Sequence, residues 1–282
     1  MKFKNVVQDN NGVSPVIGII LILSIVTVSI AIIYSSGVPF IDSAKQNTQL
    51  VSTTNSFIVL QNDILEVTNG PVTGIGTGRI TKMDLGGGSL SVEPNETKIQ
   101  INFTSKSISK SIIVYPGTIS YIYKGREVYY ENGAVFSKYT TSSFMEAEPR
   151  IYASNLGSGN IGLMIHIINI TGSNTSIGST NSGKIRTLME SEVQGSNSWG
   201  NSWYVDRVTI TITSQNNDSW SRYFKETLTN ADPSGSSLFS INNFGENTEK
   251  IIIIGSGSRN PEDIPRDIYL SIYETKIEIN AE

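Results

Sequence analysis

The segment between Asp9 and Asp42 carries no charged residue, and it limits what this 282-residue chain can fold into more than any other feature. Residues 13–34 read VSPVIGIILILSIVTVSIAIIY, a run whose polar interruptions are mainly serine and threonine. As an α-helix this run spans roughly 33 Å, about the thickness of the hydrocarbon core of a bilayer. The sequence therefore predicts a transmembrane helix over residues 13–36 and makes a membrane the first partner of the chain.

Two other interpretations of this segment fit less well. A buried core helix normally keeps a polar stripe, which this segment lacks. A cleaved secretory signal has an apolar stretch of about 7 to 15 residues and a small-residue cleavage site, whereas this stretch is longer and no A-x-A sequence follows it. Lys2 and Lys4 precede the segment, so the positive-inside rule places the N-terminus in the cytoplasm and the C-terminal head outside the cell.

The composition excludes several classes of function. Lysine and arginine total 21 against 25 for aspartate and glutamate, so no basic surplus favours nucleic acid as a partner. Cysteine is absent, which excludes disulfides, thiolate catalysis and cysteine-ligated zinc. Serine, threonine, asparagine and glycine supply most of the polarity, as is typical of β-rich extracellular domains.

A short motif opens the apolar segment and carries a resemblance to a known family. The motif consists of Gly12, Val13, Ser14, Pro15, Val16, Ile17 and Gly18. Together with the polar residues before it and the unbroken apolar helix after it, this motif resembles the N-terminal segment of archaeal type IV pilins and pilin-like proteins. The resemblance covers residues 1–36.

The resemblance implies a processing step and an assembly role for the helix. In that family a prepilin peptidase in the membrane cuts on the cytoplasmic side, just before the apolar helix, and the helix remains on the mature protein. For this chain it implies a leader peptide of residues 1–12, cleavage between Gly12 and Val13, and an assembly helix that begins with residues 13–18. Asn11 departs from the family, in which a charged residue often precedes the glycine.

An amphipathic helix is predicted to follow the membrane segment, over residues 37–69. Gly37 and Pro39 are expected to loosen or kink the chain between the two parts. The apolar face repeats every seven residues at Ala44, Val51, Ile58 and Leu65, with Leu50, Phe57 and Ile64 beside it. Polar residues within this face, such as Gln61, favour packing on the head's own sheet over a long coiled coil. A stop is expected at Asn69-Gly70-Pro71.

Residues 70–282 are predicted to form a β-rich head, which makes the chain an α+β protein with an antiparallel sheet or sandwich and one short helix. Alternating apolar runs predict strands at 79–85, 97–103, 111–115, 118–124, 126–131, 161–170, 185–193, 204–214, 250–254 and 268–279. Asn132-Gly133 predicts a hairpin turn, and Asp218 a cap for a helix over 219–228. Residues 172–183 are predicted to form a long exposed loop. A division into two head domains near residue 149 stays open.

The head offers few residues for chemistry. His166, the only histidine, lies in a predicted strand without a nearby ligand pattern, so we interpret it as structural. Four carboxylates could pair as acid and base in a glycosidase, but their spacing alone does not establish such a pair: Glu127, Glu131, Glu146 and Glu148. The acidic residues at 261–267 lack the sequence pattern of a calcium-binding loop. We therefore predict no catalytic residue, no metal site and no cofactor.

Aromatic residues and glycosylation signals complete the candidate surface features. We expect the aromatic residues Trp199, Trp203 and Tyr204 to pack in the core. The alternative is that they form a carbohydrate-binding or adhesion surface. Five N-x-Ser/Thr sequons occur, about as many as composition alone produces, at Asn95, Asn102, Asn169, Asn174 and Asn217. Asn174 is the preferred acceptor, because it lies in the predicted loop.

Two functions agree with these features. In the first, the chain is a pilin-like surface protein, more suited to a minor than to a major subunit, which assembles through its helix and supports adhesion. The resemblance then implies prepilin peptidase, other pilins and the pilus assembly machinery as partners. In the second, the helix is a permanent anchor for an extracellular binding domain. Neither function makes the chain an enzyme.

Overall fold

The computed structural model describes residues 15–69, 76–105, 109–139, 142–157, 160–178, 182–193, 202–232, 239–243, 245, 247–254 and 267–282. Gly12, Val13, Ser14, Trp199 and the acidic segment 261–266 lie outside these residues. The chain divides into two compact units, Met1–Thr48 and Gln49–Glu282.

Helix α1 (Pro15–Asn69) crosses the boundary between these units and is 55 residues long. It stays α-helical through Gly37 and Pro39, so the expected loosening does not interrupt it. Pro39 has no N–H and cannot donate to the Ser35 carbonyl, which is the local cost of a proline inside a helix. The helix ends at Asn69, where the Asn-Gly-Pro signal predicts its stop.

Seventeen strands and one further helix make up the rest of the described chain. The first nine strands are β1 (Gly78–Asp84), β2 (Ser89–Glu93), β3 (Lys98–Thr104), β4 (Ser109–Val114), β5 (Thr118–Tyr123), β6 (Arg126–Glu131), β7 (Ala134–Tyr139), β8 (Ser142–Ala147) and β9 (Ile151–Gly157). The others are β10 (Asn160–Thr171), β11 (Thr175–Gly178), β12 (Ser182–Val193), β13 (Ser202–Val205), β14 (Arg207–Thr213), α2 (Asn217–Ala231), β15 (Phe239–Asn243), β16 (Thr248–Ile254) and β17 (Ile268–Ala281). The predicted class, a long apolar helix followed by a β-rich head with one short helix, is confirmed.

The strands form three sheets. Sheet 1 has the order β1-β12-β17-β10-β9, with β13 also paired to β17. Sheet 2 has the order β11-β2-β5-β6-β7-β8, and sheet 3 has the order β15-β16-β14-β3-β4. The described pairings are antiparallel except for β10 with β17, which run parallel. Close turn spacing predicts the antiparallel meander of sheet 2 but not this parallel pair, whose partners lie far apart in sequence.

Two hydrophobic cores lie within the head, and the central strands of sheet 1 take part in both. One, the α2 core, takes Leu270 and Ile272 from β17, whereas the other, the α1 core, takes Ile277 and Ile279 from the same strand. The alternation of buried residues shifts by one at Glu274 and Thr275, which are both buried. A strand that changes its buried face in this way can serve two cores in succession.

The C-terminal part of α1 packs in the α1 core, as predicted, but the centre of its buried face lies one residue before the predicted seam. The residues at the centre of the contact are Leu50, Phe57, Leu60 and Ile64, and the last three are fully buried. Val51, predicted in the apolar seam, is 59% exposed. The predicted seam was therefore wrong by one residue: the buried series is Leu50, Phe57 and Ile64, which has the same seven-residue spacing and was predicted to lie beside the seam.

Helix α2 begins one residue before the predicted cap. Asn216 precedes the helix, and Asp218 lies inside its first turn, where its carboxylate accepts from Ser143 Oγ at 2.5 Å. The prediction of Asp218 as N-cap is wrong for this reason. The predicted buried face of Trp220, Phe224 and Leu228 is confirmed.

Two further predictions need correction. The predicted strand 204–214 is two strands, because the chain leaves β17 after Val205 and pairs with β3 and β16 from Arg207 onward. The predicted loop 172–183 contains β11, which pairs with β2 from Thr175 to Gly178. Short polar strands such as β11 lack the apolar alternation from which strands are predicted.

Candidate functional site

The apolar surface of α1 within residues 15–48 is the first candidate site. No charged residue occurs between Pro15 and Ile41. The large apolar side chains of residues 16–41 are exposed by 38% at Val38 to 76% at Phe40. An apolar surface of this extent requires lipid or another apolar protein surface as its surroundings.

Three hydroxyl side chains at the centre of this surface donate hydrogen bonds within the helix itself. Ser24 Oγ donates to the Ile20 carbonyl at 2.7 Å, Thr27 Oγ1 to Leu23 at 2.8 Å. Ser29 Oγ donates to the Ile25 carbonyl at 2.7 Å. Because these three hydroxyls already have partners, transfer of the helix into an apolar medium leaves none of the three unpaired.

Length and composition make this helix suitable for crossing a membrane, and no other described helix passes the same test. None of its most apolar stretch is buried among the described residues, so the alternative of a buried core helix is not supported. A signal sequence near the N-terminus passes the same criterion. The predicted cleavage and assembly residues Gly12, Val13 and Ser14 lie outside the described part of the chain, whereas Pro15, Val16, Ile17 and Gly18 form the first turn of α1.

Glu131 is the second candidate, because it is a carboxylate with 1% exposure. One oxygen accepts from Ser214 Oγ at 2.7 Å and from Asn216 Nδ2 at 3.2 Å, and the other from Trp220 Nε1 at 2.8 Å. Burial raises the pKa of Glu131, and the donors oppose that rise. These contacts join the end of β6 to the first turn of α2, so the carboxylate connects two elements of the head.

A cavity of about 170 Å³ opens beside Glu131 and is lined by Glu93, Glu96, Tyr129 and Asn216 among others. The other carboxylates named from the sequence have separate partners. Glu127 accepts from Tyr129 and lies 3.7 Å from Lys138 Nζ, and Glu146 accepts from Ser137. Glu148 lines a different cavity, with Arg222 and Tyr223. The four carboxylates thus do not share one set of contacts, and among the described residues no three His, Asp or Glu side chains could hold a metal ion.

His166 lies on β10 at the place where β17 changes its buried face. Its Nδ1 accepts from Arg150 Nη1 at 3.2 Å, so Nε2 carries the proton and donates to Thr275 Oγ1 at 2.8 Å. Burial, and then the charge of Arg150, lower the pKa of His166 to about 4. The imidazole is therefore neutral at pH 7 and fully engaged in packing and hydrogen bonding, as the structural interpretation expects.

Two of the aromatic residues named from the sequence, Trp203 and Tyr204, differ in burial. Trp203 packs on the α2 core with its ring centroid 4.9 Å from that of Phe103, so core packing is confirmed for it. Tyr204, the next residue, is 63% exposed, and its ring centroid lies 4.4 Å from that of Tyr269. The signal that separates the two is the alternation of a strand, which points neighbouring side chains to opposite faces.

The five sequons occupy different environments. Asn95 is exposed in a left-handed turn with φ 63°, and Asn174 is exposed just before β11. Asn102 on β3 and Asn217 at the start of α2 are half-buried. Asn169 Nδ2 donates to Glu274 Oε1 at 2.8 Å, which occupies the atom that a glycan would need.

Comparison with known proteins gives one family. The model of a family described as "Family of unknown function (DUF7289)" matches residues 11–244, which is most of the chain. No curated protein and no solved structure gives a significant match.

Proposed function

We propose that this chain, which belongs to the DUF7289 family of unknown function, is a pilin-like surface protein that assembles through α1 after removal of a leader peptide. One observation carries the proposal. The apolar side chains of residues 16–41 are exposed around the helix, and the hydroxyls of Ser24, Thr27 and Ser29 among them are bonded to the helix's own carbonyls. Such a helix is compatible both with lipid and with packing among other apolar helices.

The motif at the start of the helix supports processing. Gly12 gives a protease an unhindered extended backbone, and Pro15 is well placed in the first helical turn. Cleavage between Gly12 and Val13 removes Lys2, Lys4 and Asp9, and leaves a mature N-terminus that enters an apolar environment directly. Prepilin peptidase is the enzyme that this step requires, with other pilins and the pilus assembly machinery as later partners.

The two parts of α1 suit this function in different ways. Residues 49–69 bury Phe57, Leu60 and Ile64 in the α1 core and tie the helix to the head. Gln61 adds hydrogen bonds from Nε2 to the carbonyls of Gly133 and Glu148, at 2.6 and 2.8 Å. The apolar side chains of residues 16–41 remain exposed and are therefore available to contact lipid or other proteins. In this proposal the head faces the cell exterior, and its size favours a minor or capping role over that of the bulk subunit.

The head serves binding rather than catalysis in this proposal. Two of its buried titratable groups, Glu131 and His166, are each held by neighbouring side chains, which is the arrangement of structural residues. The alternative function is a permanently anchored extracellular binding domain, which uses the same helix but keeps residues 1–12.

Filament assembly is tested by the variant Gly12→Leu in the cell that makes the protein, with Asn10→Leu as the matched leader control. Surface filaments are sheared off, and the protein is quantified in the sheared and membrane fractions. We expect wild type and Asn10→Leu in the sheared fraction, and Gly12→Leu in the membrane fraction with its leader still attached. Wild-type protein found in membranes alone would contradict assembly and support the permanent anchor.

A further inference from the structure

The cavity beside Glu131 has a lining that selects the charge of a ligand. Its volume is about 170 Å³, and cavities of about 150 Å³ hold a molecule the size of benzene. The lining comes from β2, β5 and β6, from the turn after β2 and from the segment before α2, and it includes Glu93, Glu96, Thr118, Tyr129, Glu131 and Asn216. We call it the acidic cavity.

Strand register builds the floor of the acidic cavity. In sheet 2, Glu93 on β2 pairs with Thr118 on β5, and Thr118 pairs with Glu131 on β6. Directly paired residues share one face of a sheet, so the two carboxylates lie in one row with the threonine between them. The next row on the same face contains Ser120 and Tyr129. The floor is therefore fixed by hydrogen-bonded strands and is preformed.

The charge of the acidic cavity has one sign. Three carboxylates line it, and no lysine, arginine or histidine of the described chain does so. Neither Glu93 nor Glu96 forms an ion pair with another described residue. Lys138, whose Nζ lies 5.9 Å from the Tyr129 ring centroid, is already 3.7 Å from Glu127. Carboxylates held together without a counter-charge repel one another, and a bound cation relieves that repulsion.

A buried amide gives an independent indication of a ligand at the same place. Asn216 lines the acidic cavity and is 1% exposed, and its Nδ2 donates to Glu131 at 3.2 Å. Its Oδ1 has no hydrogen-bond partner among the described residues. A buried amide oxygen without a partner destabilises the fold, so a hydrogen-bond donor in the cavity is favoured.

Glu131 contributes charge to the acidic cavity rather than a direct contact. Its two oxygens accept hydrogen bonds from Ser214, Asn216 and Trp220. Thr97 donates a fourth hydrogen bond. Two carboxylate oxygens offer about four acceptor positions, so those of Glu131 are occupied. The direct acceptors for a ligand are therefore the other two carboxylates and the amide oxygen.

These acceptors favour an ammonium group over other cations. Glu93, Glu96 and Asn216 lie on three separate segments, which suits the three diverging donors of an ammonium better than the planar fork of a guanidinium. Among the described residues no three acidic side chains converge closely enough to hold a metal ion. The Tyr129 ring and Ile122, which is 43% exposed, add apolar surface for an alkyl stem.

We propose that the acidic cavity binds an alkylammonium group, with the ammonium between Glu93, Glu96 and Asn216 Oδ1 and the alkyl stem against Tyr129 and Ile122. This chemistry belongs both to a lysine side chain of a partner protein and to a free alkyl diamine. The inference does not rest on filament assembly, because a permanently anchored head has the same cavity. Failure of assembly and failure of ammonium binding are therefore separate outcomes.

The test is isothermal titration calorimetry on the full chain in a non-ionic detergent. The probes are cadaverine, N-acetyl-lysine methylamide, N-acetyl-norleucine methylamide and calcium chloride. The norleucine compound keeps an alkyl stem but lacks the ammonium group. We expect both ammonium probes to bind at least about tenfold more tightly than the norleucine probe and than Ca²⁺. Their binding should weaken as the salt concentration rises.

Carboxylate-to-amide variants assign that binding to the acidic cavity. Glu93→Gln and Glu96→Gln each remove a charge and nearly keep the shape of the side chain. The double variant is expected to weaken binding of the ammonium probes at least about tenfold, and each single variant less. Glu226→Gln is the matched control, because it removes an exposed charge at a different cavity of the head and should leave binding unchanged.

Circular dichroism and the thermal midpoint establish that each variant is folded, and the single variants keep the test open if the double variant is not. Tighter binding of the lysine compound supports a partner protein as the source of the ammonium, and tighter binding of cadaverine supports a free diamine. Absence of binding by both ammonium probes would overturn the proposal. Tighter binding of Ca²⁺ or of the norleucine probe, or unchanged ammonium binding in the folded cavity variants, would overturn it as well.

Discussion

The two parts of α1 are equally helical but have opposite surroundings. Phe40 is 76% exposed, whereas Phe57, less than five turns further on, is fully buried. In residues 49–69 polar residues separate the apolar ones, and the helix buries one stripe in the α1 core. In residues 15–41 no charged residue interrupts the apolar surface, so there is no polar side to face water. The distribution of polar residues, more than the apolar content, thus distinguishes the part of the helix that packs on the head from the part whose apolar surface suits lipid or other helices.

Phenylalanine truncation tests this contrast with the largest expected effect. Phe57→Ala should lower the free energy of unfolding by about 3–5 kcal/mol, because it removes a ring from a filled core. Phe40→Ala, the matched control on the same helix, should change it by less than about 0.5 kcal/mol. Urea denaturation of the purified protein, followed by tryptophan fluorescence, measures both. Equal effects would show that the two parts of α1 are not distinguished by burial.

A lysine placed in each part of α1 tests whether only residues 15–41 enter a membrane. Ile30→Lys should disfavour membrane insertion by about 3 kcal/mol, since a lysine at the centre of a membrane helix costs that amount. Val51→Lys, at a side chain of similar exposure, should leave insertion unchanged. The fraction of protein that resists carbonate extraction from membranes reports insertion. Wild-type protein that carbonate extracts completely would argue against a bilayer-spanning segment.

The head should also show a pH dependence that residues 15–48, which lack histidine, cannot produce. The pKa of His166 is lowered to about 4 in the folded state, below its ordinary value of about 6.5 in the unfolded chain. The unfolded state therefore binds the proton first, and stability falls as pH decreases from about 6.5 to about 4, by at most about 3 kcal/mol. Above pH 7 this contribution is constant.

The measurement is urea denaturation of wild type and His166→Gln between pH 4 and pH 8. The difference between the two curves isolates His166 from other groups, including Glu131, whose raised pKa acts in the opposite direction. We expect the stability difference to shrink as pH falls. Parallel curves would contradict a buried neutral imidazole.

The smallest effect is expected at an exposed ion pair of the head. Arg186 Nε lies 3.8 Å from Glu282, and both side chains are more than half exposed. Arg186→Gln should change the free energy of unfolding by less than about 0.5 kcal/mol, because solvent screens such pairs. A loss above about 1 kcal/mol in urea denaturation would show that exposure is a poor guide to energetic weight in this head.

The sequence was sufficient for the features that rest on local pattern. The apolar run predicts α1, the Asn-Gly-Pro signal its end, and Asn132-Gly133 the turn between β6 and β7. These signals act over a few residues, so tertiary contacts do not change them. The buried face of α2 was predictable for the same reason.

Features that depend on distant partners were not predictable. The parallel pairing of β10 with β17 joins residues about a hundred positions apart, for example Ile161 with Ile268. From the sequence alone, Glu131 is indistinguishable from a surface carboxylate, because its partners Ser214 and Trp220 lie more than 80 positions away in the chain. Gly162, Tyr269 and Tyr204 likewise lie in one row across three strands, and only the register supplies that row.

The most direct test of the account is the mature N-terminus of the protein from its native surface or membrane fraction, determined by mass spectrometry. A polypeptide that begins at Val13 is the result we predict, since it requires cleavage after Gly12 with retention of the whole apolar helix. A polypeptide that still begins at Met1 would contradict processing and make α1 a permanent anchor. A start beyond Gly37 would contradict both membrane functions and show that the helix is a discarded signal.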